Sequence, residues 1–219
     1  MIVIIAAMEK EAATLIEKFS EKKQLTIAGK TAYEGKLFGK SVTLVISGIG
    51  KVSAAIAAQA AIDKYFPECV LNFGTAGGLG EKVSAKNFYV IGECCQYDFD
   101  LTAIDDVPVG YIQDYDTVFF RANTEDLNFL PEIKLATSDR FTNAEQDVAT
   151  VKKLGCAVTD MECCSIAQVC SSNGVNFYAV KAVSDVLGSG IQAEEFNRNM
   201  EAIRNAFPAV IQKVLENIK

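Results

Sequence analysis

The apolar residues of this chain fall into short continuous runs, separated by stretches in which they recur every three to four positions. Residues 1–7 (MIVIIAA) form the first run, which reads as a strand buried on both faces. Glu9 to Phe19 then sets Ala12, Leu15, Ile16 and Phe19 on one side of a helix. Between Leu25 and Ser47, three β-rich segments are divided by Gly29-Lys30 and by Phe38-Gly39-Lys40, the pattern of an antiparallel meander. Lys51–Tyr65 is an alanine-rich helix, and Cys69–Phe73 a buried strand. That strand runs into Gly74, Gly77, Gly78 and Gly80, which predict a turn where backbone can approach a ligand closely.

Asn87–Tyr97 reads as a long strand, and from Asp98 to about Leu130 the period is lost. A loop of that length inside a compact fold is more often functional than idle. The pattern then predicts a strand over Glu132–Ala136 ending in Thr137–Asn143, a helix from about Ala144 to Leu154 and a strand over Cys156–Thr159. A helix over Met161–Ser171 and a strand over Asn176–Ser184 follow. A last helix begins near Ala193, with Phe196, Met200, Ile203, Phe207, Ile211, Leu215 and Ile218 on one face and Pro208 expected to kink or restart it. Strands alternating with helices, plus the early meander, give an α/β fold: a three-layer sandwich whose central mixed β-sheet is flanked by helices, as a single domain over residues 1–219.

Composition narrows the chemistry. A net charge of −7 and a pI near 4.8 argue against nucleic acid or an anionic membrane as partner. The apolar start gives way at once to Glu9, Lys10 and Glu11, too short for a signal-peptide core, and a cytoplasmic protein is expected. Seven cysteines without a C-x-x-C read as buried thiols in a reducing compartment rather than metal ligands. The absence of histidine excludes serine–histidine and cysteine–histidine nucleophile systems and H-E-x-x-H zincins. No metal and no cofactor is expected, and proton transfer falls to Asp, Glu, Lys, Tyr or Cys. Ser47-Gly-Ile-Gly after a strand imitates a dinucleotide fingerprint, but Ser53 stands where the third glycine belongs and no acid ends the next strand. That helix start can still bind a small polar group.

The carboxyl ends of the predicted strands collect polar residues: Met8 and Glu11, Thr75, then Ser138, Asp139, Phe141 and Thr142, then Asp160, Met161 and Glu162, and finally Asp185. Ligands bind beyond such ends in open α/β sheets. Each residue has a plainer reading (Glu11 as a first-turn acid, Asp160 as a helix cap, Met161 as core, Asp185 as a turn cap), and it is their shared location that favours a site.

The blocks Ala7-Met-Glu-x-Glu11, Ser47-Gly-Ile-Gly-Lys-Val52, Asn72-x-Gly-Thr-Ala-Gly-Gly78, Asp160-Met-Glu162 and Val183-Ser-Asp185, in this order, resemble those of the 5′-methylthioadenosine/S-adenosylhomocysteine nucleosidases, within the nucleoside phosphorylase family. The resemblance implies hydrolysis of the bond between adenine N9 and ribose C1′. It implies Asp185 as the acid facing N7 and Glu11 as the base that deprotonates water, with Thr75 and Lys181 helping to hold that water. Glu162 is implied to accept the ribose hydroxyls, Met161 to pack beneath the sugar, Phe141 to stack on adenine and the backbone of Thr142 to read its edge. Met8, Ile49 and Phe196 are implied to line the 5′-alkylthio pocket, with Ala76, Gly77 and Ser184 as further contacts. A homodimer is implied, its partner closing the 5′ pocket from the region of residues 97–113. Three positions depart from the group: Lys181 for Arg, Thr75 for Ser and Asp160 for Glu.

Three alternatives stand beside that reading. A phosphorylase of the same fold must hold phosphate, which calls for arginines near C1′; the chain has only Arg121, Arg140, Arg198 and Arg204, none in the first-strand turn or the 72–78 block. A related purine nucleoside such as futalosine or 5′-deoxyadenosine would fit the same acids. A non-catalytic nucleoside-binding protein would need neither Glu11 nor Asp185.

Overall fold

The first strand, β1 (Ile2–Ala6), is buried along its whole length because both its faces are covered. Val3 and Ile5 enter one core, with Ala54, Ala57, Ala58 and Ala61 of α2 (Lys51–Tyr65) and Ile166 and Ala167 of α4 (Cys163–Asn173). Ile2, Ile4 and Ala6 enter the other, with Ala12 and Leu15 of α1 (Glu9–Ile16) and Ile203, Phe207 and Ile211 of α5 (Gln192–Asn217). This two-residue alternation accounts for the uninterrupted apolar run and for helices on both sides of the sheet. The computed structural model describes residues 1–80, 82–142, 145–187 and 189–218.

From β1 the sheet extends outward through β4 (Lys40–Ile46), β3 (Lys30–Leu37) and β2 (Phe19–Ile27), the expected meander. On the other side of β1 lies β5 (Cys69–Gly78), parallel to it. β5 also pairs in parallel with β10 (Asn176–Val186) and, at Gly77 and Gly78, in antiparallel with β9 (Val158–Asp160). β6 (Phe88–Gln96) and β8 (Glu132–Thr137) link β10 to β9, so five strands close into a ring with the meander as its arm; the short β7 (Phe120–Arg121) pairs with β6. β9 runs antiparallel to β5, and this closing rung turns Asp160 back along β5 toward Thr75.

Four local expectations change. Phe19 starts β2 instead of ending α1, although its ring still packs in the α1–α5 core. The glycine segment is strand through Gly78 rather than a turn after Phe73. β10 runs to Val186, past the expected end at Ser184. α5 passes through Pro208 as one helix and does not restart there. Proline has no N–H for the carbonyl four residues back, and the hydroxyl of Thr14 on α1 donates to that Arg204 carbonyl instead, at 2.5 Å. α3 spans Glu145–Lys153; the expected start at Ala144, like Asn143 at the end of the preceding stretch, lies outside the described residues. No described helix is long and apolar enough to cross a membrane.

Candidate active site

Glu11 sits in the first turn of α1, where a carboxylate is favoured by unpaired backbone N–H groups. Its Oε2 accepts the Met8 N–H at 3.1 Å, so the plain first-turn role is real. Its Oε1 reaches across to β5 and accepts both the N–H and the hydroxyl of Thr75, at 2.8 and 2.7 Å. A side chain at position 74 would place its Cβ 3.2 Å from that same oxygen, so the glycine there lets the carboxylate lie against the strand. Three donors thus fix a buried carboxylate at the cavity wall.

Asp185 reaches the cavity by a different device. The β5–β10 register slips between Val183 and Asp185, a bulge that sets Asp185 opposite Gly77. Bulges re-aim side chains in this way. A Cβ on Gly77 would lie 3.2 Å from Asp185 Oδ2, so glycine there lets the carboxyl come close without displacing it. The Ser184 hydroxyl donates to Oδ1 at 2.6 Å and Gln192 Nε2 donates to Oδ2 at 3.1 Å. Burial raises the pKa of Asp185, the two donors oppose the rise, Glu195 adds to it, and the net shift is upward. Thr75 and Gly77 are two residues apart on one face of β5, so the points at which Glu11 and Asp185 meet the strand are about 7 Å apart along it.

Glu162, between β9 and α4, accepts the N–H of Gly50 at 3.0 Å, and Asp139 accepts that of Lys51 at 2.7 Å. The start of α2 is therefore occupied by two carboxylates of this chain. Burial first, then the neighbouring Asp160 carboxylate, pushes the Glu162 pKa up to about 7. Asp160 accepts from Thr137 Oγ1 at 2.7 Å and from the Cys163 N–H at 2.9 Å, and lies 2.8 Å from Lys181 Nζ. Its helix-capping role is thus also real. Burial pulls the Lys181 pKa down, but the groups around it, the Asp160 carboxylate first and Glu162 among the others, together outweigh this and hold the ammonium above its ordinary range.

These groups surround one cavity of about 240 Å³. That is just under the ~300–1,000 Å³ of drug-sized sites, which suits a compact ligand. Met8, Ile49 and Phe196 line it beside Glu11; Thr75, Ala76 and Gly77 line it from β5; Phe141, Thr142, Met161, Glu162, Ser184 and Asp185 complete the residues named from sequence. Phe141 is 48% exposed, an aromatic face turned to an open space. Lys181 does not line the cavity: at 1% exposure it sits behind the wall, committed to Asp160. Asp160, one of the strand-end residues, lines it too, and Ala7, Lys10, Arg140, Thr159, Leu187 and Gln192 line it without having been named for it. Lys10 lies over the Phe196 ring, 4.6 Å from its centroid, and Arg140 is paired with Asp147 at 3.2 Å. The polar residues Gln192, Glu195 and Asn199 share one face of α5, a spacing that could have revealed Gln192. No cluster of described residues could hold a metal ion.

The sequence matches the model of the phosphorylase superfamily over residues 1–216. A 5′-methylthioadenosine/S-adenosylhomocysteine nucleosidase of Tolumonas auensis is 32% identical, over 98% of each chain. A nucleosidase of the same name from Colwellia psychrerythraea, solved in complex with adenine, superposes with a TM-score of 0.91 at 29% identity, covering 100% of this chain and 95% of that one. That of Neisseria meningitidis, solved with methylthio-immucillin-A, gives 0.89 at 25% identity, covering 99% of each. The chain belongs to the phosphorylase superfamily, among its 5′-methylthioadenosine/S-adenosylhomocysteine nucleosidases.

Proposed function

We propose that this protein hydrolyses the N-glycosidic bond of 5′-methylthioadenosine and S-adenosylhomocysteine, releasing adenine and the thioribose. The observation behind it is the pair of buried carboxyl groups on one cavity: Asp185, whose pKa is raised, and Glu11, held by three donors. Breaking C1′–N9 sends the bonding electrons into the purine, so protonation at N7 by Asp185 makes adenine a neutral leaving group. Glu11 takes the proton from water as its oxygen bonds to C1′. The two groups meet β5 at different points, Glu11 at Thr75 and Asp185 at Gly77, so the glycosidic bond and the attacking water are held between them. Glu162 accepts the ribose hydroxyls, Met161 packs beneath the sugar and Phe141 stacks on the base. Met8, Ile49 and Phe196 receive the 5′ substituent.

Water is favoured over phosphate because Lys181 is engaged by Asp160 and Arg140 by Asp147, Lys10 lies over the Phe196 ring, and Glu11 would repel a dianion. We read the protein as cytoplasmic, in keeping with its seven free cysteines, and as a homodimer. Ile49, Val52 and Ile56 form an exposed apolar stripe at one end of α2, and Ile49 is also in the cavity wall, so a second copy on this stripe would close the 5′ end. Incubation with methylthioadenosine tests the reaction: adenine and methylthioribose form without phosphate. Methylthioribose 1-phosphate formed only when phosphate is present would overturn it.

A further inference from the structure

Gln192 opens α5 and is 6% exposed. Its Nε2 donates to Asp185 Oδ2 at 3.1 Å and to the Thr142 carbonyl at 2.9 Å. One carboxamide therefore ties the acid to the loop after β8 that carries Phe141. The same helix face grips the acid's own segment: Glu195 Oε2 accepts the Val186 N–H at 3.0 Å, and Asn199 Nδ2 donates to the Ser184 carbonyl at 2.8 Å. With Ser184 on Oδ1, both carboxyl oxygens of Asp185 are oriented before a ligand arrives.

We propose that Gln192 is a positioning residue for the reaction, aiming the Asp185 carboxyl at the purine and setting the pH at which it gives up its proton; this rests on Asp185 being the acid. A donor on Oδ2 favours the ionised carboxylate, so the link limits how far burial can raise the acid. The other charged groups around the cavity are Glu11 and Lys10 from α1, Asp160 and Glu162 from the β9–α4 junction and Arg140 from the loop after β8, with Glu195 on α5 facing Asp185 from behind. All of them stay in place when only position 192 changes.

The experiment is the pH profile of kcat/KM for methylthioadenosine, whose alkaline limb reports the free enzyme's acid. Gln192→Leu, which removes the donor, moves that limb up by about one pH unit. Gln192→Glu, of the same shape but with a second carboxylate beside the first, moves it further and keeps the test available if the leucine variant does not fold. Limbs that coincide with the parent's in both variants, or move down, overturn the proposal whatever happens to the rate. Asp185→Asn separates the two readings. If it is inactive while the Gln192 limbs stay fixed, only this inference fails; if it retains most turnover, the assignment of the acid fails and this inference with it.

Discussion

Glu162→Gln should make the unliganded protein more stable and the enzyme worse. The carboxylate is buried beside Asp160, and its pKa stands at about 7 against an ordinary 4.5. The folded protein therefore binds a proton between these values that the unfolded chain does not, and stability falls as pH rises through that window. At 1.36 kcal/mol per unit, the penalty is on the order of 3 kcal/mol at pH 8 and about 1 kcal/mol at pH 5. Glutamine keeps an oxygen to accept the Gly50 N–H and replaces the other carboxylate oxygen by an uncharged NH2 group. Thermal unfolding should show the variant melting roughly 6–12 °C above the parent at pH 8, with a much smaller gap at pH 5. Its kcat/KM should fall at least about 100-fold, because two hydrogen bonds from ribose to a charged group are weakened. A variant less stable at pH 8, or with the same melting difference at both pH values, would refute the reasoning.

Asp185→Asn should lower turnover by about 10²–10⁴-fold with an unchanged circular dichroism spectrum; retained activity would mean another group protonates the purine. Lys181→Met leaves Asp160 buried without its cation and should cost about 3–5 kcal/mol in urea unfolding, largely recovered when Asp160→Asn is added. Phe141→Ala should weaken nucleoside binding by roughly 5- to 150-fold through lost stacking, yet shift stability by less than about 1 kcal/mol, because the ring is half exposed; isothermal titration and melting curves read the two separately.

The elements with an unambiguous period were legible in the sequence. β1 is an apolar run because both faces are covered, and α2 spans the residues its alanines predicted. Boundaries set by tertiary contacts were not: β5 continues as strand through its glycines because β9 and β10 pair with them there. Pro208 stays inside α5, where Thr14, far away in sequence, satisfies the freed carbonyl. The site was legible as a set of residue types at strand ends, the family resemblance adding roles. Sequence could not show that Lys181 pairs inward with Asp160, since burial and ion pairing are decided by packing. Nor did it reveal Gln192, which acts through one side-chain amide at a helix start read only for its apolar face.

A crystal structure with a non-hydrolysable 5′-methylthio nucleoside analogue tests the central claim most directly. The account predicts the Asp185 carboxyl within hydrogen-bonding distance of purine N7, and a water held by Glu11 on the opposite side of the sugar's C1′. A base turned away from Asp185, or a Glu11 separated from C1′ by protein, would contradict it.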